Sequence, residues 1–166
     1  MVAIVGSRFQ YVAPPEDFMG EVVVSVRLEN PLDTHLARRG TLAAADVRST
    51  TVAMVVDVGA SSLVLPQDVV EVLGLDTIDT TIVEYADGRQ DELPVAGPAQ
   101  LEVLGRTRNF DCVVGRPGTE ALLGQVVLEM LDLLVDCKNQ RLLPRPDSPN
   151  RTRYMIRRLR PVVPVN

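Results

Sequence analysis

The stretch Val55-Val56-Asp57-Val58-Gly59-Ala60-Ser61-Ser62, continuing into Leu63-Val64-Leu65-Pro66, decides how the rest of the chain is read. Its β-branched run implies a buried strand that delivers one acidic side chain, Asp57, into a turn of small residues. Gly59 and Ala60 keep that turn slim enough for a backbone or a ligand to approach, and glycine reaches dihedrals closed to other residues. A carboxylate at the end of an apolar strand must find hydrogen-bond donors or hold its proton, because bare burial is costly. An aspartate closing its own turn accounts for these residues taken alone. A second element far downstream gives them a chemical reading.

That element is Ala121-Leu122-Leu123-Gly124, followed by the amphipathic run Gln125-Val126-Val127-Leu128-Glu129-Met130-Leu131 and then Leu133-Leu134-Val135-Asp136. Taken together, VVDVGASSLVLP, ALLG and LEMLDLLVD resemble the retropepsin-like, single-domain aspartic proteases of bacteria and retroviruses. Those domains carry Asp-Thr/Ser-Gly-Ala/Ser after a hydrophobic strand, and two hydrophobic residues plus Gly before a short C-terminal helix. The likeness runs over residues 21–144. It implies a mostly β fold, a closed acid-protease-type β-barrel with one or two short helices, whose half-site is completed by homodimerisation. It implies Asp57 as the catalytic residue, Val58, Gly59, Ala60 and Ser61 as the active-site loop, and Leu122, Leu123 and Gly124 as its support. One position departs from the pattern. Val58 stands where the family has Thr or Ser, whose hydroxyl bonds across the dimer axis. Valine keeps the shape but neither donates nor accepts.

Only one such aspartate motif is present, and this chemistry needs two facing carboxylates. The resemblance therefore implies self-pairing about a two-fold axis. Two adjacent carboxylates share one proton. The ionised one takes a proton from a water held between them, and the protonated one donates to the scissile carbonyl oxygen. No serine or cysteine nucleophile, metal or cofactor is called for. Ala60 lacks the hydroxyl that Ser supplies in some members, so the expected pH optimum lies nearer weakly acidic or neutral than strongly acidic. The implied function is an aspartic endopeptidase acting on an extended peptide or protein substrate. The alternative is a catalytically weak or inactive member that binds peptides or serves as a scaffold, with Val58 as its main support.

Composition agrees with one globular domain: 166 residues, 46% hydrophobic and 23% charged, enough to bury a core without staples. Aromatics make up 4% and Trp is absent, so the core must be built of Val, Leu, Ile and Ala. Abundant Val with 11 Gly and 12 Pro favours strands and turns. Net charge is −5, unevenly spread: from Arg145 onward six arginines face Asp147 alone, which leaves −10 on the remainder. An acidic body makes nucleic acid an unlikely main partner, and the basic tail alone would have to supply such binding. Cys112 and Cys137 are too isolated for a metal site or disulfide framework; Cys112 reads as a small buried hydrophobe. No apolar run reaches membrane-spanning length and residues 1–18 contain no signal-type core, so the expectation is a cytoplasmic protein without membrane insertion.

In order, residues 1–19 read as an arm, 20–144 as the protease-like domain, and 145–166 as a basic, flexible tail. Residues 21–28 read as a strand, Asn30-Pro31-Leu32-Asp33 as a turn, and His35 as a surface side chain. Residues 41–47 and 51–57 read as strands, although the first is Ala-rich enough to be helical. Residues 66–74 carry a helix signature, with Pro near the start and Gly after the last turn. Residues 80–85 and 90–95 form a hairpin around Ala86-Asp87-Gly88-Arg89, Asp-Gly being a strong turn signal. The resemblance places the protease flap here, at Tyr85, Ala86, Asp87 and Gly88; a plain surface hairpin explains the same residues. Residues 97–104 and 106–114 give a second hairpin, and Thr119 or its neighbours are candidates to cap the short helix. Residues 133–136 and 141–143 close the core. Asp111, Asp132 and Asp136 read as local hydrogen-bonding acids.

Overall fold

A computed structural model describes residues 3–5, 8–10 and 21–153. Within the segment read as an arm, β1 (Ala3–Val5) and β2 (Arg8–Gln10) pair antiparallel. The body is built from β3 (Val23–Glu29), β4 (Ser49–Val56), β5 (Leu63–Pro66), β6 (Thr77–Glu84), β7 (Gln90–Val103), β8 (Arg106–Gly115) and β9 (Ala121–Leu123). Their order is β3-β4-β9-β5-β8-β7-β6. The far part of β7 also pairs with β3, through Arg27↔Glu102, Leu28↔Leu101 and Glu29↔Gln100. That second pairing closes β3, β4, β9, β5, β8 and β7 into a six-stranded barrel and leaves β6 outside the ring. The expected closed, mostly β barrel is what the chain forms.

Alternation drives the closure. In β8, Arg106, Phe110, Cys112 and Val114 are buried while Thr107, Asn109, Asp111 and Val113 are less so, the period-two pattern of a strand with one wet face. The interior is aliphatic: Leu28, Met54, Leu63, Leu65, Leu101, Leu123 and Leu131 are fully buried. Burial pushes the Cys112 thiol up to about 12, so it acts as a small apolar filler. At 14 residues β7 is the longest strand, its first part pairing with β6 and its second with β3.

Among the described residues three α-helices decorate the barrel: α1 (Pro31–Arg38), α2 (Gln67–Leu73) and α3 (Gln125–Met130). None among the described residues is long and apolar enough to cross a membrane. Helix α1 corrects the sequence reading of a simple turn. Asn30 Oδ1 accepts from the Leu32 and Asp33 N–H groups at 2.9 and 3.3 Å, with Pro31 at the first helical position, so the residues read as a turn are an N-cap and first turn. His35 lies exposed on this helix.

The expected strand over residues 41–47 is also absent. That segment is irregular apart from a 3₁₀ turn at Ala44–Asp46, and β4 starts at Ser49, two residues before the expected strand. Arg48 fixes this start. Its Nε and Nη2 donate to the Asp33 carboxylate at 2.6 and 2.8 Å, and its backbone N–H adds a third bond. The Arg48 guanidinium in turn holds the Asp33 carboxyl below its ordinary range. The same guanidinium fills the space beside Gly74, which ends α2 in the left-handed conformation at φ +57°; a Cβ there would lie 1.7 Å from Nη1.

After α3, β10 (Leu133–Asp136) and β11 (Arg141–Pro144) make a separate antiparallel pair. Residues 145–153 then differ from the expected unfolded extension. Arg145 Nε donates to Asp132 Oδ1 at 2.5 Å, the Ser148 hydroxyl donates to Asp132 Oδ2, and the Arg153 N–H reaches the same oxygen at 3.4 Å. Buried Arg106 completes the cluster, donating to the carbonyls of Leu131, Asp132 and Ser148. Asp132 is thus a local hydrogen-bonding acid, as read. The rest of the expected tail, residues 154–166, lies outside the described residues.

Candidate active site

Strand β4 ends at Val56, and Asp57 opens the loop that leads to β5. Strand β9 lies between them, parallel to β4 through Val55↔Leu122 and Val56↔Leu123 and antiparallel to β5 through Leu63↔Leu123 and Val64↔Leu122. Leu122 and Leu123 thereby engage both flanks of the loop. The Asp57 N–H donates to the Leu123 carbonyl at 3.1 Å. Asp57 Oδ1 accepts from the Gly59 N–H at 2.8 Å, and the Ala60 N–H returns to the Asp57 carbonyl at 3.3 Å. The carboxylate is aimed by backbone, and its second oxygen accepts no hydrogen bond among the described residues.

Helix α3 supplies the other wall. The first N–H groups of any helix lack partners within it. Here the Gln125 N–H donates to the Ala60 carbonyl at 2.8 Å and the Val126 N–H to the Ser61 carbonyl at 3.1 Å. Gly124 makes this approach possible: a Cβ on it would sit 2.2 Å from the Ser62 carbonyl oxygen and 2.8 Å from that of Ala60. Both are backbone atoms that cannot swing away. We expect Gly124→Ala to cost about 1–3 kcal/mol by overpacking and to displace the Asp57 loop. A urea denaturation midpoint equal to the parent's would contradict this.

The structure therefore brings Asp57, Val58, Gly59, Ala60 and Ser61 together with Leu122, Leu123 and Gly124. Thr119 does not cap α3; its hydroxyl donates to the Arg116 carbonyl at 2.8 Å and closes its own turn, while Gly124 occupies the cap position without a side-chain bond. Tyr85, Ala86, Asp87 and Gly88 form the tip of the β6–β7 hairpin, with Gly88 at φ +80° and the Gly88 N–H donating to the Tyr85 carbonyl at 2.8 Å. Arg89 stabilises the tip twice: Nε pairs with Asp87 at 2.7 Å, and the guanidinium stands 5.3 Å from the centre of the Tyr85 ring. The Arg89 bond holds the Asp87 carboxyl below its usual range. No hydrogen bond joins this tip to the Asp57 loop.

Among the described residues no group of three or more His, Cys, Asp or Glu side chains gathers around Asp57. Asp132 serves the C-terminal cluster, and Asp136 accepts from Asn139 and Arg141. Val58, next to Asp57, is 64% exposed, and Val126 on α3 is 47% exposed.

Comparison with known proteins gives three findings. A family model described as aspartyl protease matches residues 43–127, just over half of the chain. No curated protein matches. Among solved structures, the chain is similar to the EIAV protease complexed with the inhibitor HBY-793, at 15% identity and a TM-score of 0.47, over 70% of this chain and 92% of that one.

Proposed function

The chain belongs to the aspartyl protease family, and from that premise we propose that it is a homodimeric aspartic endopeptidase whose two Asp57 carboxylates, one per subunit, activate a water against a peptide bond. The observation that carries this reading is the mounting of Asp57. A lone carboxylate stands on a loop held by β9, by α3 and by its own turn, with one oxygen uncommitted and an exposed valine next to it. A single chain offers half a site, and a two-fold copy would supply the other half. One carboxylate would then hold a proton and the other would not, because two charges a few ångströms apart repel. The ionised member takes the proton of the trapped water, and the neutral member donates to the carbonyl oxygen as it becomes tetrahedral. No covalent intermediate with the enzyme forms.

One observation favours a second reading. Val58 presents its side chain where a hydroxyl would cross-link the two loops, so each protomer brings an apolar contact in place of a hydrogen bond. A chain of this kind can hold the fold and bind peptides while hydrolysing them poorly. Dilution separates the two. For a dissociating dimer the rate per subunit falls on dilution, and we expect Val58→Thr to move that fall to lower protein concentration, with sedimentation reporting tighter pairing. A specific rate independent of concentration in a strictly monomeric protein would remove the shared-site mechanism.

A further inference from the structure

Among the described residues, strand β6 is the outer strand of the sheet and pairs on one side only, with β7. Its other side has no strand partner among the described residues along Thr77–Glu84, although the Thr80 N–H is already taken by Asp79 Oδ1; such an edge accepts another extended segment. The sequence around that edge, residues 76–95, holds Asp76, Asp79, Glu84, Asp87, Asp91 and Glu92 against Arg89 alone. Two of these acids already have cations: Asp87 has Arg89 at 2.7 Å and Asp91 has Arg116 at 3.3 Å. Asp79, Glu84 and Glu92 form no ion pair among the described residues. Their bonds come from the Thr80 N–H, from Gln90 Nε2 and from the Thr80 hydroxyl. Register sets Ile82 opposite Glu92 and Glu84 opposite Gln90. Side-chain alternation therefore gathers Ile82, Glu84 and Glu92 on one face, and Ile82 is 71% exposed there.

A second β6 laid along this edge would set carboxylates near carboxylates, which is unfavourable across a strand pair. A cationic strand meets the opposite situation: ladder bonds to the free edge, an apolar contact at Ile82 with Glu84 and Glu92 on the same face, and Asp79 on the other face, none of the three with a counter-ion among the described residues. We propose that the β6 edge docks an extended peptide bearing arginine or lysine, and that Asp79, Glu84 and Glu92 set this charge preference. The inference rests on the reading of the chain as a domain that acts on peptides, and it names the class of peptide.

Its test uses the full chain carrying Asp57→Asn, so that bound peptide survives, and three fluorescein-labelled peptides identical except for Arg, Gln or Glu at the variable positions. Anisotropy should show the arginine peptide binding about tenfold more tightly than the glutamine one, the sum of a few exposed ion pairs, with the gap narrowing as salt rises. Asp79→Asn, Glu84→Gln and Glu92→Gln combined should make the three peptides bind alike. An arginine peptide N-methylated along its backbone, unable to donate ladder bonds, should lose most of its affinity. Equal binding of the three peptides by the parent, a preference surviving in the triple variant, or undiminished binding of the methylated peptide would each overturn the proposal. Hydrolysis by the chain with native Asp57, measured on the same peptides, keeps the two readings apart. Charge-selective binding without cleavage would sink the endopeptidase and leave the docking edge, whereas cleavage indifferent to charge would do the reverse.

Discussion

Asp57→Asn will leave the barrel folded and lower the rate of peptide hydrolysis by roughly 10³-fold, within the range a positioned acid–base group contributes. Asparagine is nearly isosteric and keeps the side-chain oxygen that accepts from the Gly59 N–H, so the loop retains its shape while losing the capacity to take or give a proton. The readouts are kcat on a mixed peptide substrate and the thermal midpoint, the first collapsing and the second holding. Should parent and variant prove equally inert while the parent is a stable dimer, the endopeptidase fails and the peptide-binding alternative stands. Equal activity in both would move the chemistry away from this loop altogether.

Arg106→Leu will destabilise the chain by about 3–5 kcal/mol, the usual consequence of removing one partner from a buried ionic cluster. Three carbonyls, those of Leu131, Asp132 and Ser148, lose their donor, and the Asp132 carboxylate loses a cation 3.7 Å away. Lysine should restore only part of the loss, because it lacks the planar fork that serves several acceptors at once. The urea midpoint measures both substitutions; a change of a few tenths of a kcal/mol for Arg106→Leu would contradict the assignment. Acidification probes the same cluster. The Ser148 hydroxyl, then Arg145, lower the Asp132 carboxyl to about 2, against roughly 3.9 for a free aspartate. A depressed carboxyl contributes stability above its unfolded value and loses it as pH falls through its folded one. The parent's urea midpoint should therefore drop as pH falls from about 4 towards 2, and Ser148→Ala should show a smaller drop.

The aspartate loop, its downstream support and the hairpin were legible because each is written in adjacent residues: a β-branched run ending in Asp-x-Gly, two hydrophobics with Gly before an amphipathic run, and Asp-Gly between alternating segments. Barrel closure followed from the resemblance rather than from any pattern in β7 or β3. The start of α1 was also locally written, in Asn30-Pro31 with Asp33 in the first turn, but the same dipeptide signals a turn, and only the Arg48 contact makes the helix the better use of those residues. Residues 145–153 misled the reading for a different reason. Their Pro, Asp, Ser, Asn and Arg content is that of a solvated segment, and their partners are far away in sequence: Ser148 meets Arg106 across 42 positions. Nothing local in Arg106, on a strand of mixed charge, announces that it will be buried.

The insertion of β9 between β4 and β5 also orders events during synthesis. Asp57 emerges from the ribosome well before residues 121–123, so the strand that flanks its loop on both sides does not yet exist. Until translation reaches that point, the nascent polypeptide carries its acid on an unsupported segment. The backbone bond from the Asp57 N–H to the Leu123 carbonyl, and with it the final aim of the carboxylate, can form only once those late residues have been made.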